Sequence, residues 1–494
     1  MNRIRKHKTS LSLAILMGLS SFAHIASAQS LDLQKKTKNY FLQILKAQQK
    51  ALENGNESFI KSTIADAKCE TTRAKLLSLI NNKELADGKN VTNYQKMVWA
   101  AWCEANKELE EEKLVQLEEL KKGVHGTWTL PKSLEPNAVM PYYYGYKDDE
   151  SSRKDGKNTS IYPLFIYLHG SGPKEQEWET GLKLGQMFKD APAMYFIPQI
   201  PNEGNYYRWW QVAKQYAWEK LLRQTLAEDK VDANRLYVFG ISEGGYGSQR
   251  LASFYADYWA AAGPMAGGEP LKNAPVENCA NIGFSFLTGA DDMGFYRNIL
   301  TYYTQVAFDS AQLARPLSAD FKPLFRHRIN LLPGMQHSID YRLTTPWLKN
   351  FVRNPYPKTV LWEDFEMDGR HRSGFYNLQV LARPSEKRTY YEMNINENTI
   401  ILNISDVAYT TVMKDQQWGI DMKFNRSYTK AQGGKLRIYL NDQLVDLEKP
   451  ITIKVNDKQV YHGIITPKLE DMLNSCAEYF DPCRVYPASI EINY

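Results

Sequence analysis

The chain has 494 residues, of which 43% are hydrophobic, 24% charged and 12% aromatic, with 29 Gly and 22 Pro. At about 150 residues per domain the length predicts two to four domains, and the ordinary Gly and Pro contents exclude a collagen-like fibre, a coiled coil or a long disordered tail. The net charge is +5, but Arg3, Arg5, Lys6 and Lys8 precede the first acidic residue, so everything after residue 28 carries only +1. A near-neutral body gives no electrostatic reason to expect nucleic acid or an anionic membrane as partner.

The first 28 residues predict export. A basic stretch, Met1 to Lys8, is followed by the apolar run Leu11–Leu19 and by Ala26-Ser27-Ala28. That is the layout of a secretory signal peptide cut before Gln29, which places the mature protein in the periplasm or outside the cell. The apolar run is too short to cross a bilayer, so no membrane insertion is expected. Five cysteines are few for this length. In an oxidising compartment Cys476 and Cys483 are close enough in sequence to close a small loop, and Cys69 can reach Cys103 if their helices are antiparallel, leaving Cys279 over. Their spacing does not suggest zinc.

Residues 29–125 predict a helical accessory region. Segments Leu33–Gln49 and Tyr94–Lys122 repeat apolar residues at three and four, and the charged run Lys107–Lys122 reads as a solvated helix face. From about 126 to 355 the pattern becomes a doubly wound, mostly parallel α/β sheet. Short strands are expected at Gly126–Leu130 and Val139–Gly145, with a charged turn over 147–157. Unbroken apolar runs at Tyr162–Leu168, Ala193–Ile197, Arg235–Phe239, Ile282–Leu287 and His327–Leu332 predict strands buried on both faces. Helix-length amphipathic segments such as Ala217–Asp229 and Gly247–Ala256 lie between them. Residues 356–494 read as a β-sandwich-like domain, with strands at Arg388–Ile395, Thr399–Ile404, Gly419–Phe424, Leu436–Leu440 and Ile451–Val455.

Directly after the strand Arg235–Phe239 stands Gly240-Ile-Ser242-Glu-Gly244, with a helix-forming run behind it. G-x-S-x-G between strand and helix presents the Ser on a sharp turn, with small neighbours so that strand and helix approach closely. It also aims free helix amides at a reacting carbonyl. Ser242 is therefore the expected nucleophile. A Ser hydroxyl needs a base and an orienting acid, in the chain order Ser, acid, His. Four His lie downstream of Ser242. His337 leaves the strand ending at Leu332 and is the expected base, whereas His327 begins that strand and reads as structural. His371 and His462 fall in the β-rich tail. Thr288-Gly-Ala-Asp-Asp292 follows another strand and offers the acid, Asp292 in preference to Asp291. The oxyanion hole is expected from the amides of Glu243 and Ser171, the latter in the turn Leu168-His-Gly-Ser-Gly172, where His169 organises the turn.

Together these motifs resemble the α/β-hydrolase superfamily, and more narrowly the secreted bacterial esterases of the polyhydroxybutyrate-depolymerase and feruloyl-esterase type, often described as predicted peptidases. The resemblance covers about residues 126–352; Asp446-Leu-Glu-Lys-Pro450 and Val455-Asn-Asp-Lys458 are less specifically similar to β-domains trailing such hydrolases. It implies a Ser-His-Asp acyl-enzyme mechanism needing no metal or organic cofactor, on a small-molecule or polysaccharide-linked ester such as an acetyl or feruloyl group on carbohydrate. A serine peptidase of the same fold, or a glycan-binding protein on an inactive scaffold, is the alternative. On the substrate side, Tyr206, Tyr207, Trp209 and Trp210 around Arg208 are expected to form an aromatic wall near the site. Arg208 is suited to a carboxylate or a sugar hydroxyl.

Overall fold

The computed structural model describes residues 31–53, 67–79, 85, 88–149 and 161–494; the expected signal peptide and most of the charged turn over 147–157 lie outside the described residues. The centre of the molecule is a nine-stranded sheet. Its strands are β1 (Glu118–Glu119), β2 (His125–Thr129), β3 (Val139–Lys147), β4 (Tyr162–Leu168), β5 (Ala193–Pro198), β6 (Val231–Ile241), β7 (Ala261–Met265), β8 (Gly283–Gly289) and β9 (His327–Leu332). The order is β1-β3-β5-β4-β6-β7-β8-β9, with β2 paired to β3. From β5 to β9 every pairing is parallel, and β3 joins that block antiparallel to β5. Every residue of β4, β5, β7 and β8 is buried. That is the packing expected of strands covered by helices on both faces, and it explains their unbroken apolar sequences.

The covering helices include α4 (Lys174–Met187), α5 (Val212–Leu226), α6 (Glu243–Phe254) and α7 (Arg297–Ala314). Because β4 is flanked by β5 on one side and β6 on the other, the strand order reverses between β4 and β6. Open α/β sheets hold their ligands in the crevice beyond the carboxyl ends of strands at such a point.

Residues 359–493 build two further sheets. One joins β10 (Thr359–Asp364), β13 (Arg388–Asn396), β14 (Thr399–Lys414), β15 (Asp421–Lys430), β17 (Ile451–Val455) and β18 (Lys458–Gly463). The other joins β11 (Gly374–Phe375), β12 (Leu378–Ala382), β16 (Lys435–Leu440) and β19 (Ala488–Asn493). Their inner faces meet through stacked rings, Trp362 of β10 lying 5.4 Å from Phe375 of β11. The strand expected at Thr399–Ile404 runs ten residues further, to Lys414.

The N-terminal helices, α1 (31–53), α2 (Ala67–Leu77) and α3 (Gly88–Glu108), do not lie over the crevice. They pack on α8 (Leu469–Tyr479), near the other end of the described chain, around Phe41, Trp102, Met472 and Cys476. The helix expected to continue to Lys122 stops at Glu108. Beyond it the chain leaves the helical path, and two of its acidic residues find partners on other elements. Glu111 forms a bidentate pair with Arg223 of α5 at 2.6 and 2.8 Å, and Glu112 accepts from the Thr129 amide. The expected disulfides are also corrected, since Cys103, Cys279, Cys476 and Cys483 are free thiols. Cys476 faces the helical cluster while Cys483 lies beside Asn234, so the two thiols look to different sides.

A buried cluster of charges ties the α/β unit to the β-rich one. Asp481 accepts from Arg353 at 2.6 Å and Arg484 at 2.8 Å, and Asp257 accepts from Arg372 at 3.0 Å and from Arg484. The five side chains range from fully buried to 8% exposed. Burial raises both carboxyls, but the arginines outweigh it and hold Asp257 and Asp481 below the ordinary carboxylate range.

Candidate active site

The turn between β6 and α6 places Ser242 in a backbone conformation that L-residues rarely adopt, φ 56° and ψ −114°. Its neighbours make that possible. A Cβ on Gly244 would stand 1.9 Å from the Leu168 carbonyl oxygen, and one on Gly240 2.3 Å from that of Gly244. Only glycine lets β4, β6 and α6 approach this closely, and the strained serine is the price of exposing its hydroxyl above the sheet. The Ser242 amide donates to Met265 at 3.0 Å, which fixes the turn against β7.

Ser242 Oγ lies 3.0 Å from His337 Nε2, and His337 Nδ1 lies 2.7 Å from Asp292 Oδ2. His337 comes from the loop after β9 and Asp292 from the turn after β8. Residues 95 and 45 positions apart in sequence thus meet at one point above the sheet. Asp292 is 3% exposed, whereas Asp291 is exposed and its backbone bonds Met335, so the acid facing the imidazole is Asp292. The carboxylate has a second partner that no motif announced. Arg297 grips it with two hydrogen bonds, 2.8 Å from Nε and 2.6 Å from Nη2. Burial pushes the Asp292 carboxyl up, but the Arg297 and His337 hydrogen bonds prevail and hold it below its ordinary value. It therefore stays ionised at neutral pH, fit to hold the Nδ1 proton of the imidazole.

The turn after β4 stands beside Ser242: a Cβ on Gly170 would be 3.4 Å from Ser242 Cβ. Ser171 and Glu243 both line the crevice above Ser242. The Glu243 amide belongs to the first turn of α6, where helix amides have no intrahelical partner. His169 is fully buried, and burial lowers its pKa to about 4 despite a hydrogen bond to the Gly170 carbonyl. Its Nε2 accepts from the Ile200 amide at 3.0 Å, which leaves Nδ1 to donate to Gly170 at 2.7 Å. His327 lies apart from the site, bonded to Asp309 and to the Phe325 carbonyl.

The aromatic wall divides. Trp209 is wholly buried and donates to the His169 carbonyl, and Tyr207, 5% exposed, donates to the carbonyls of Gly170 and Gly172. These two rings hold the turn from beneath and present no face to a ligand, which corrects the expectation for both. Trp210 and Arg208 do line the crevice, Trp210 lying under the Arg250 guanidinium at 3.9 Å. Arg208 reaches Glu243 at 3.3 Å. The Glu243 side chain is an unforeseen feature: 9% exposed, with Oε1 unpartnered, it faces the crevice. Burial raises its carboxyl to about 7, with Glu269 adding to the rise and Arg208 opposing it. The crevice encloses about 510 Å³.

No family model matches this chain, and no curated protein matches it. Among solved structures it is similar to a thermostable esterase, with 21% identity over 46% of this chain and 59% of that one at a TM-score of 0.32. It is also similar to a ferulic acid esterase, with 14% identity over 46% of this chain and 97% of that one at a TM-score of 0.33. An S-formylglutathione hydrolase from Agrobacterium tumefaciens shows 12% identity over 46% of this chain and 91% of that one, at a TM-score of 0.32. The strand order and the strand–serine–helix turn, rather than these low-scoring likenesses, define an α/β-hydrolase fold.

Proposed function

We propose that this protein is an exported serine esterase that hydrolyses carboxylic esters, acetyl or feruloyl groups on carbohydrate being the substrate class. The observation that carries the reading is the chain of contacts from Ser242 through His337 to Asp292, at 3.0 and 2.7 Å. Ser242 Oγ attacks the ester carbonyl while His337 Nε2 takes its proton, and Asp292 steadies the resulting imidazolium. The amides of Glu243 and Ser171 receive the oxyanion. The alcohol departs with the proton from His337, and water, deprotonated by the same imidazole, releases the acid and regenerates Ser242. Every step uses groups of the protein itself and water. Export rests on the leader pattern of the first 28 residues, and the carbohydrate assignment on Trp210 and the polar groups of the crevice.

The test is turnover of p-nitrophenyl acetate, methyl ferulate, acetylated xylan and a peptide anilide by wild type and Ser242→Ala. Ester turnover abolished in Ser242→Ala, with an unchanged melting curve, is the expected result. Preference for the anilide would move the reading to a peptidase, and no Ser242-dependent turnover would refute it.

A further inference from the structure

The β-rich unit reaches into the crevice. β14 pairs with β13 only as far as Val407, and beyond that residue its partner is β15 alone. Residues 408–427 therefore leave the sheet as a two-stranded ribbon, whose reach is about 30 Å at roughly 3.3 Å per residue. Register shifts between Thr411 and Lys414 bend it just before its tip, as bulges do where a strand is re-aimed. An isolated ribbon of this kind is marginally stable in water, and here it is fastened along its length. Arg426 pairs with Glu277 at 2.7 Å, and Lys423 sits over the Tyr303 ring of α7. At the tip Trp418 packs on Phe295, centroids 4.4 Å apart, and Asp415 accepts from the Tyr296 hydroxyl at 2.7 Å.

Phe295 and Tyr296 lie in the short segment between Asp292 and Arg297, and both hold left-handed backbone conformations, φ 51° and 57°. Fastened there, the ribbon turns Ile420, Asp421 and Phe424 into the crevice that holds Ser242.

We propose that the β14–β15 ribbon is the specificity-determining wall of the active site, selecting esters borne on a sugar ring. Phe424 and Ile420 offer apolar surface to a ring face, and the Asp421 carboxylate accepts from ring hydroxyls. Arg208 and Asn273 line the same crevice and supply further hydrogen-bonding groups. Trp418 and Asp415 lie outside the crevice lining and position the wall through Phe295 and Tyr296. The inference rests on Ser242 being the nucleophile of an esterase.

The experiment compares wild type, Trp418→Ala and Asp421→Ala on p-nitrophenyl acetate and on acetylated xylo-oligosaccharides, with methyl ferulate as the phenolic control. Trp418→Ala is expected to keep kcat/KM for p-nitrophenyl acetate within about twofold while losing about tenfold on the oligosaccharides, chiefly through KM, as expected when binding remote from the reacting atoms is removed. Asp421→Ala should raise the oligosaccharide KM likewise. Equal losses on both substrates in Trp418→Ala, no loss on either, or a wild type that cleaves p-nitrophenyl acetate or methyl ferulate but ignores the oligosaccharides would each overturn the inference. Absence of Ser242-dependent turnover of p-nitrophenyl acetate would instead strike the esterase reading beneath it.

Discussion

Replacing Asp481 by Asn tests whether the buried charge cluster holds the two units together. The cluster contains Arg353, Arg372 and Arg484 against Asp257 and Asp481, so it carries one surplus positive charge, and Asp481→Asn makes that two. Arg353 and Arg484 both donate to the same Asp481 oxygen, and all three side chains are 0–1% exposed. Water therefore cannot take over the lost carboxylate. Breaking a buried pair by removing one partner costs about 3–5 kcal/mol, against at most about 1 kcal/mol for an exposed pair. Asn keeps one acceptor oxygen, which puts the expected loss at the lower end, about 3 kcal/mol. With a denaturant slope of about 3 kcal/mol per molar urea, the midpoint should fall by about 1 M.

The assay is urea unfolding followed by tryptophan fluorescence, with Arg353→Met added to remove the orphaned charge and complete a double-mutant cycle. The double variant should recover part of the loss. A midpoint shift below about 0.3 M, equivalent to about 1 kcal/mol, or additive losses in the cycle would refute the reasoning. The same cluster predicts acid sensitivity. Because both carboxyls are depressed in the folded protein, their contribution is complete above the unfolded value of about 4 and is lost as pH falls through the lower folded values.

Two further expectations concern the site. Ser242→Gly should abolish turnover yet melt above Ser242→Ala, because glycine accepts φ 56° without strain; the gain is about 1 kcal/mol after glycine's own entropic cost, and an equal or lower melting temperature would show the turn to be unstrained. The folded-state pKa of Glu243, raised from 4.5 to about 7, means that the folded protein holds a proton the unfolded chain has released, so this carboxyl destabilises the fold as pH rises through that interval. Glu243→Gln should therefore gain stability relative to wild type between about pH 5 and pH 8, measured as the difference in Tm at the two values, and a pH-independent difference would contradict the perturbed carboxyl.

The α/β half of the fold was legible because its physics is local. Tyr162–Leu168 and His327–Leu332 have as strands the limits their apolar runs suggest, and the glycines around Ser242 announce the sharp turn by themselves. β7 left no such trace, since Ala261-Ala-Gly-Pro-Met265 lacks β-branched residues and becomes a strand through burial between β6 and β8. Arg297 was illegible because nothing in sequence ties it to Asp292 until the left-handed residues between them fold the chain back. Within Lys107–Lys122 most charges are solvated as expected, but Glu111 is a buried partner of a distant helix, which no local pattern shows. The ribbon beyond Val407 is largely exposed, so it lacks the alternation of buried and exposed positions that marks a half-buried strand. Trp209 and Tyr207 show the reverse error, since aromatic side chains beside a site support its turn as readily as they face a ligand.

The packing of α1, α2 and α3 on α8 sets an order of assembly. A chain emerging vectorially offers its early helices long before residues 469–485 exist, and until then Phe41 and Trp102 pack on each other without the cover of Met472 and Cys476. Contacts of such sequence separation form late, because the loop between them must close first. The helical segment thus works as a latch that engages only once residues 469–485 have joined it. A product truncated before Leu469 would keep the whole strand–serine–helix turn and yet expose an unpaired apolar surface, a mark by which quality-control proteases recognise unfinished protein.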